Sequence, residues 1–254
     1  SMHWAIVVER LGPPPPGVCR AAWRGGALVA SIEVPTLIVC DFDGTITRRD
    51  TLQVIVERYG MPGVWDAIEP RLRSGEVTLE QAMEEQFAGV RATPDEIRRL
   101  VAERAELRAG FHELVDWSRA RGRRLVVLSS GFRSVIEDVL GRVGLGHLPV
   151  EAHDARFAAE GSTILWSERG GEECDRCGRR CKRHDLEHHR RAGEEVVYVG
   201  DGVSDRCAAQ DADLVFARDG LAEFLDGLGI PFRPFEDFHD VRVDLDRRPP
   251  VVGA

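Results

Sequence analysis

Three short aliphatic runs show no polar alternation and stop abruptly at small or acidic residues. Thr36–Cys40 precedes Asp41-Phe42-Asp43-Gly44-Thr45, Leu125–Leu128 precedes Ser129-Ser130-Gly131, and Val196–Val199 precedes Gly200-Asp201-Gly202. A strand that is apolar on both faces needs cover on both faces, as a central parallel strand has between two helical layers. The expected fold class is therefore α/β, a three-layer Rossmann-like parallel sheet core. In open sheets of this kind ligands bind beyond the carboxyl ends of the strands, so three such endings can converge on one site.

Between the first and second runs, roughly Asp50 to Arg121, the pattern is almost wholly helical. Leu52, Ile55, Val56 and Tyr59 follow helical spacing, as do Leu79, Met83 and Phe87, and then Ile97, Leu100 and Val101; Thr93-Pro94-Asp95-Glu96 supplies a helix start. A right-handed crossover needs one helix, so the excess reads as an inserted helical cap over 49–119, with 34–48 and 120–248 forming the core. A helix around Ser204–Gln210, an apolar segment Asp213–Phe216 and a closing portion ending near Leu245 follow the third run. Residues 1–33, with the Pro13–Pro16 run and the Gly25-Gly26 pair, read as an extension with no assigned function.

Lys and Arg number 34 against 43 Asp and Glu in 254 residues, a formal net charge of −9, which excludes a generally basic nucleic-acid binder. With 43% hydrophobic and 30% charged residues the chain can bury a core and is not disordered in bulk. Its longest apolar stretch, Ala27–Cys40, is broken by Glu33 and Pro35 and falls short of the ~20 residues a membrane span requires. No basic region precedes an apolar core near the start, so no signal peptide, no membrane partner and a cytoplasmic location are expected.

Asp41 and Asp43 stand two apart where a buried strand ends, followed by Gly44, which allows close backbone approach to a ligand. Such a loop can present both carboxylates to one cavity, one to attack and the other to manage the proton. Asp201 and Asp205 add carboxylate oxygens suited to a hard ion such as Mg²⁺. Four acids facing one pocket would repel each other strongly without a cation.

Asp41-Phe42-Asp43-Gly44-Thr45, Ser129-Ser130-Gly131-Phe132, Lys182 and Gly200-Asp201-Gly202-Val203-Ser204-Asp205 resemble the four ordered motifs of the haloacid dehalogenase superfamily, over about Thr36 to Leu245. The resemblance implies that Asp41 attacks phosphorus to give an aspartyl-phosphate, and that Asp43 protonates the leaving alkoxide and then deprotonates water. It implies that Ser129 donates to a phosphoryl oxygen, with Ser130 and Gly131 beside it in the substrate site, and that Lys182 neutralises charge. Mg²⁺ would be held by the Asp41 side chain, the Asp43 carbonyl and Asp201, with Asp205 close by.

The helical insertion resembles the cap of the phosphoserine phosphatase branch. That branch holds the substrate amine with an acid nine positions after the nucleophile, where Asp50 stands, and clamps the carboxylate with a cap Arg, where alignment through Leu79-Glu80-Gln81 puts Gln86. A neutral amide cannot give the charge-assisted pair that Arg offers a carboxylate, which disfavours phosphoserine. Thr45-Ile46-Thr47 with Asp50, the cysteines ending Cys181-Lys182, and Phe216-Ala217-Arg218-Asp219 with Phe235-Glu236-Asp237-Phe238 resemble the methionine-salvage phosphatases, which act on 2-hydroxy-3-keto-5-methylthiopentenyl-1-phosphate. The phosphoethanolamine/phosphocholine phosphatases share a similar cysteine-rich approach to the lysine. Gly202 departs from the salvage pattern, which has Ser there, and leaves the substrate open. The expected activity is phosphomonoester hydrolysis of a small phosphorylated metabolite, a methylthio-sugar phosphate in the leading reading. A zinc-dependent binding module is the non-enzymatic alternative.

Cys174, Cys177 and Cys181 place three thiols just ahead of Lys182. Structural zinc takes four ligands, and His184 or His153 could supply the fourth; reduced packing cysteines and a redox-sensitive pair are the other readings of this spacing. Cys19, Cys40 and Cys207 read as packing residues. The basic run of Arg176, Arg179, Arg180, Lys182, Arg183, Arg190 and Arg191 with His184, His188 and His189 lacks interleaved aromatics and reads as a solvated helix face that raises the potential for a phosphate dianion. Trp65, Trp117 and Trp166 read as core or cap packing.

Overall fold

The computed structural model describes residues 35–167, 173–179 and 181–248; the expected extension, Cys19 and Arg180 lie outside them. In chain order the elements are β1 (Thr36–Cys40), α1 (Thr51–Tyr59), α2 (Val64–Ser74), α3 (Leu79–Phe87), α4 (Pro94–Arg104), α5 (Phe111–Ala120), β2 (Arg124–Phe132), α6 (Arg133–Arg142), β3 (Val150–Arg156), β4 (Thr163–Leu165), α7 (Lys182–His189), β5 (Glu195–Gly200), α8 (Arg206–Ala209), β6 (Leu214–Ala217), α9 (Asp219–Gly227), β7 (Arg233–Pro234) and α10 (Phe238–Arg247). The seven strands form one sheet in the order β4-β3-β2-β1-β5-β6-β7. All neighbours are parallel except the antiparallel pair β3 and β4.

Side chains of successive strand residues point to opposite faces, and the aliphatic runs supply both faces at once. Ile38 and Cys40 of β1, Val127 of β2 and Val199 of β5 join a core with Phe111 and Leu114 of α5, Ile136 of α6 and Phe238 of α10. Leu37 and Val39 with Leu128 and Val196 join a second core with Leu186 of α7, Ala208 of α8 and Leu221 of α9. The sheet is thus sandwiched between two helical layers. β1 lies centrally, and the chain leaves it toward β2 on one side and β5 on the other, which opens a crevice at the carboxyl ends of these three strands.

Helices α1 to α5 fill the connection between β1 and β2. Thr93 and Glu96 form a reciprocal capping box at the start of α4, as the Thr-Pro-Asp-Glu sequence predicts. Asp50 caps α1 by accepting from Leu52 N at 2.7 Å and Gln53 N at 3.0 Å. α1, α2 and α3 pack in sequence, α4 packs on α1 and α6, and α5 packs on β2 and α10, on the sheet side of the insertion. No helix among the described residues is long and apolar enough to cross a membrane.

Candidate active site

Asp41 leaves β1 with its N–H still bound to Val199 O at 2.9 Å, so the nucleophile candidate is fixed by the last rung of the β1–β5 ladder. The tight turn that follows reverses at Gly44, whose φ of 78° lies in the left-handed region. A Cβ at Gly44 would also overlap the Asp201 carboxylate. Arg108 holds the turn from outside, donating from Nε to Thr45 O at 2.9 Å and from Nη2 to Gly44 O at 2.6 Å.

Lys182, the first residue of α7, is fully buried and donates from Nζ to Asp41 Oδ1 and, at 2.8 Å, to Asp205 Oδ1. Burial disfavours its ammonium, but Asp205 and Asp41 outweigh this and hold the lysine protonated above its ordinary range. Asp205 also accepts from Tyr198 OH at 2.7 Å and from the N–H groups of Asp201 at 3.0 Å and Gly202 at 2.9 Å. All its oxygens thus face donors of the protein, so Asp205 braces the loop after β5 from behind. Asp201, tied by Thr45 Oγ1 at 2.7 Å, faces the cavity instead.

Asp43 accepts from both Thr51 N at 2.8 Å and Thr51 Oγ1 at 2.5 Å through Oδ1. Its other oxygen points toward Gly131, where a Cβ would sit 2.6 Å from Asp43 Oδ2. Burial raises the Asp43 carboxyl above its ordinary range against the opposing pull of Thr51. At the end of β2 the ladder to β3 breaks register between Leu128 and Phe132, which frees Ser129, Ser130 and Gly131 to turn into the crevice. Ser129 Oγ accepts from Gly131 N at 2.8 Å.

These groups floor a cavity of about 680 Å³. Asp41, Asp43, Asp201, Ser129, Ser130 and Gly131 form the base; Asp50 and Gln86 lie on the wall among Leu52, Trp65, Leu72, Leu79 and Met83. Every expected catalytic and substrate-site residue except Lys182 thus lines this one cavity, and Lys182 reaches it through Asp41. Asp50 carries its helix cap through Oδ1, and burial followed by the charge of Asp43 raises its carboxyl well above the ordinary range.

The donor set suits a divalent cation. Asp41, Asp201 and Asp205 bring carboxylate oxygens within 4.8 Å of one another, an all-oxygen set of the kind Mg²⁺ prefers. Burial, then the charge of Asp205, pushes Asp201 up to about 7, and burial raises Asp41 well above its usual range, so one lysine leaves this cluster short of positive charge.

The cysteine expectation needs correction in its fourth member. The thiols of Cys174, Cys177 and Cys181 meet Cys207, and the four sulfurs lie within 4.8 Å of one another. His184 instead accepts from the Cys181 backbone N at 3.2 Å, and His153 accepts from Ser167 N at 3.1 Å while meeting Trp166 edge-on. The reason is topological: Cys207 sits on α8, which packs on α7, and spacing along the chain gives no sign of that neighbour. Sequence reasoning also misses Thr51, because a Thr at a helix start looks ordinary, and Tyr198, whose one sign is a polar group inside a strand apolar on both faces.

The haloacid dehalogenase-like hydrolase family matches residues 38–210. The chain belongs to this family. A 2-hydroxy-3-keto-5-methylthiopentenyl-1-phosphate phosphatase of Brevibacillus brevis is 30% identical over 210 residues, covering 81% of this chain and 92% of its own. One of that name from Bacillus cereus strain AH820 is 31% identical over 217 residues, covering 82% and 94%. Among solved structures, a phospho-aspartyl intermediate analogue of phosphoserine phosphatase superposes with a TM-score of 0.63 at 20% identity, over 85% of this chain and all of that one. A substrate-bound phosphoserine phosphatase complex gives 0.63 at 19% identity, over 83% and 98%, and at these identities the two structures establish the fold. With its family and its phosphatase relatives, the chain is a phosphoric monoester hydrolase.

Proposed function

We propose that this hydrolase releases phosphate from a small phosphorylated metabolite by way of a phosphoryl group carried on Asp41, with Mg²⁺ as cofactor and the helical insertion 49–119 as the cap. The observation that carries the reading is the convergence of Asp41 and Asp201 at the floor of a cavity whose other wall is helical, with Lys182 bound to Asp41 from beneath. In-line positioning and charge neutralisation supply most of the catalysis of phosphoryl transfer. Asp41 is fixed by its backbone bond and by Lys182. Asp43, held through one oxygen by Thr51, keeps the other for the leaving-group oxygen and later for water. The raised Asp43 carboxyl favours the protonated form that the first of these steps needs. Asp41, Asp201 and the Asp43 carbonyl would hold Mg²⁺, which supplies neutralisation of the phosphate charge.

For the substrate, the leading reading is a methylthio-sugar phosphate of the kind named for the relatives. The apolar wall of Leu52, Trp65, Leu72, Leu79 and Met83 suits a thioether tail, and Gln86 can hydrogen-bond a neutral oxygen. A second reading, phosphoserine, draws on Arg206. This guanidinium lines the cavity and lies 4.6 Å from the Phe224 ring centre, where a carboxylate could meet its cavity-facing edge. The other lining guanidinium, Arg73, is paired with Glu69 at 2.7 Å. Phosphate release from a metabolite panel, with Mg²⁺ and with a chelator, tests both. The expected outcome is Mg²⁺-dependent turnover with the highest kcat/KM for the methylthio-sugar phosphate. A higher value for phosphoserine overturns the leading substrate, and no turnover of any ester overturns the function.

A further inference from the structure

Outside the cavity floor, one other cluster among the described residues brings metal-ligating side chains together. Cys174 and Cys177 lie on the loop before α7, Cys181 immediately precedes that helix, and Cys207 lies on α8. None of them is in a disulfide. A tetrahedral zinc with Zn–S bonds of about 2.3 Å has sulfur–sulfur edges of about 3.8 Å. Four sulfurs already within 4.8 Å of one another need only a small inward adjustment to reach that geometry.

Backbone groups surround the sulfurs. Those of Arg176 and Cys177 hydrogen-bond Cys174 and those of Arg183 hydrogen-bond Cys181, while in the metal-free protein the Cys177 thiol donates to the Arg179 carbonyl at 3.5 Å. A turn closed by Gly178 N to Cys174 O at 2.7 Å and Cys174 N to Arg179 O at 3.0 Å presents the first pair. Arg183 Nη1 lies 3.7 Å from Cys174 Sγ, and Arg176 Nη1 donates to the Cys207 carbonyl at 2.8 Å, docking the loop on α8. Donors around the ligands orient them and offset the negative charge of a tetrathiolate.

We propose that Cys174, Cys177, Cys181 and Cys207 form a structural zinc site that clamps α7 to α8. On binding, each thiol gives up its proton to solvent and no residue changes oxidation state. The clamp has a specific position in the molecule. Cys181 adjoins Lys182, and Cys207 lies two residues beyond Asp205, so the ion fixes the backbone on both sides of the buried Lys182–Asp205 pair at 2.8 Å. The four thiols are positioning residues; none of them lines the cavity floored by Asp41 and Asp201.

The test is the zinc content of the full-length reduced protein, produced with zinc supplied and purified without chelator, together with its cobalt-substituted absorption spectrum. These readouts are independent of any phosphate ester, so they stand or fall separately from the proposed function. The expected result is one zinc per chain, a thiolate-to-cobalt charge-transfer band, and full zinc retention in His184→Ala and His153→Ala. Cys207→Ser should lose most of the zinc, and the wild-type stoichiometry decides the matter if that variant does not fold. Zinc far below one per chain in folded wild-type protein, a disulfide among the four thiols, or loss of zinc from His184→Ala with retention in Cys207→Ser would overturn the proposal.

Discussion

Lys182 sets the charge balance of the site at the scale of single residues. Its Nζ is the shared partner of Asp41 and Asp205; Lys182 and Asp205 are fully buried, and Asp41 opens only onto the cavity. Removing the one cation of this buried cluster leaves its carboxylates uncompensated, at a cost of roughly 3–5 kcal/mol. Lys182→Met is therefore expected to lower unfolding free energy in denaturant titrations by that order and to abolish turnover; a stability unchanged from wild type would show that the pair is not what holds the loop. The identity of Lys182 was legible in sequence only through its place among the ordered motifs, because a lysine at a helix start carries no local mark of burial. Tyr198, whose OH reaches Asp205, was legible in principle as a polar group inside a strand apolar on both faces. Cys207 was not, since its partners are brought to it by helix packing.

At the scale of elements, the strand ends do the positioning. β2 breaks register with β3 where Ser129 to Gly131 turn inward, and the close approach of Asp43 Oδ2 leaves no room for a side chain at Gly131. Its replacement by Ala should push Asp43 or Ser129 aside, since the added carbon would also lie 3.2 Å from Ser129 Oγ. A shift of about 1 Å at a reacting group can cost on the order of a hundredfold in rate. Gly131→Ala is thus expected to lose about that much kcat with an unchanged far-ultraviolet circular dichroism spectrum; wild-type kcat would contradict the placement of Asp43. The three central strands and the helices before β2 were readable because continuous apolar runs and 3.6-residue spacing are strong signals. β3, with Glu151, His153 and Asp154 in its run, and the three-residue β4 carry no such signal, and their pairing comes from tertiary packing.

Over the whole molecule, charge is organised by local pairing more than by net value. The basic run ahead of and within α7 is matched to acids: Arg179 to Glu80, Arg183 to Asp175 and Glu187, and Arg190 to Asp213. Arg124 grips Glu194 at 2.8 Å and the His189 carbonyl at 2.9 Å, joining the end of α7 to β2. Burial pushes the Glu194 carboxyl up, but Arg124 and the Arg191 N–H outweigh it and hold it below the ordinary value. A folded-state value below the unfolded one gives stability that is whole above the unfolded value, about 4.3, and is lost as pH falls through the folded one. Glu194→Gln should accordingly lower the Tm at neutral pH, with a difference that shrinks on acidification below about 4; a difference that grows there would reverse the assignment.

The same acidic chain gathers Asp41, Asp43, Asp201 and Asp205 at one end of its sheet, and the account of its activity centres on Asp41. Steady-state turnover of an aryl phosphate with Mg²⁺ by Asp41→Asn measures this most directly. Loss of the proposed nucleophile should reduce kcat by more than about a thousandfold while the Tm stays at or above that of the wild type, because one buried carboxylate charge is gone. Turnover within tenfold of wild type would contradict phosphoryl transfer through Asp41.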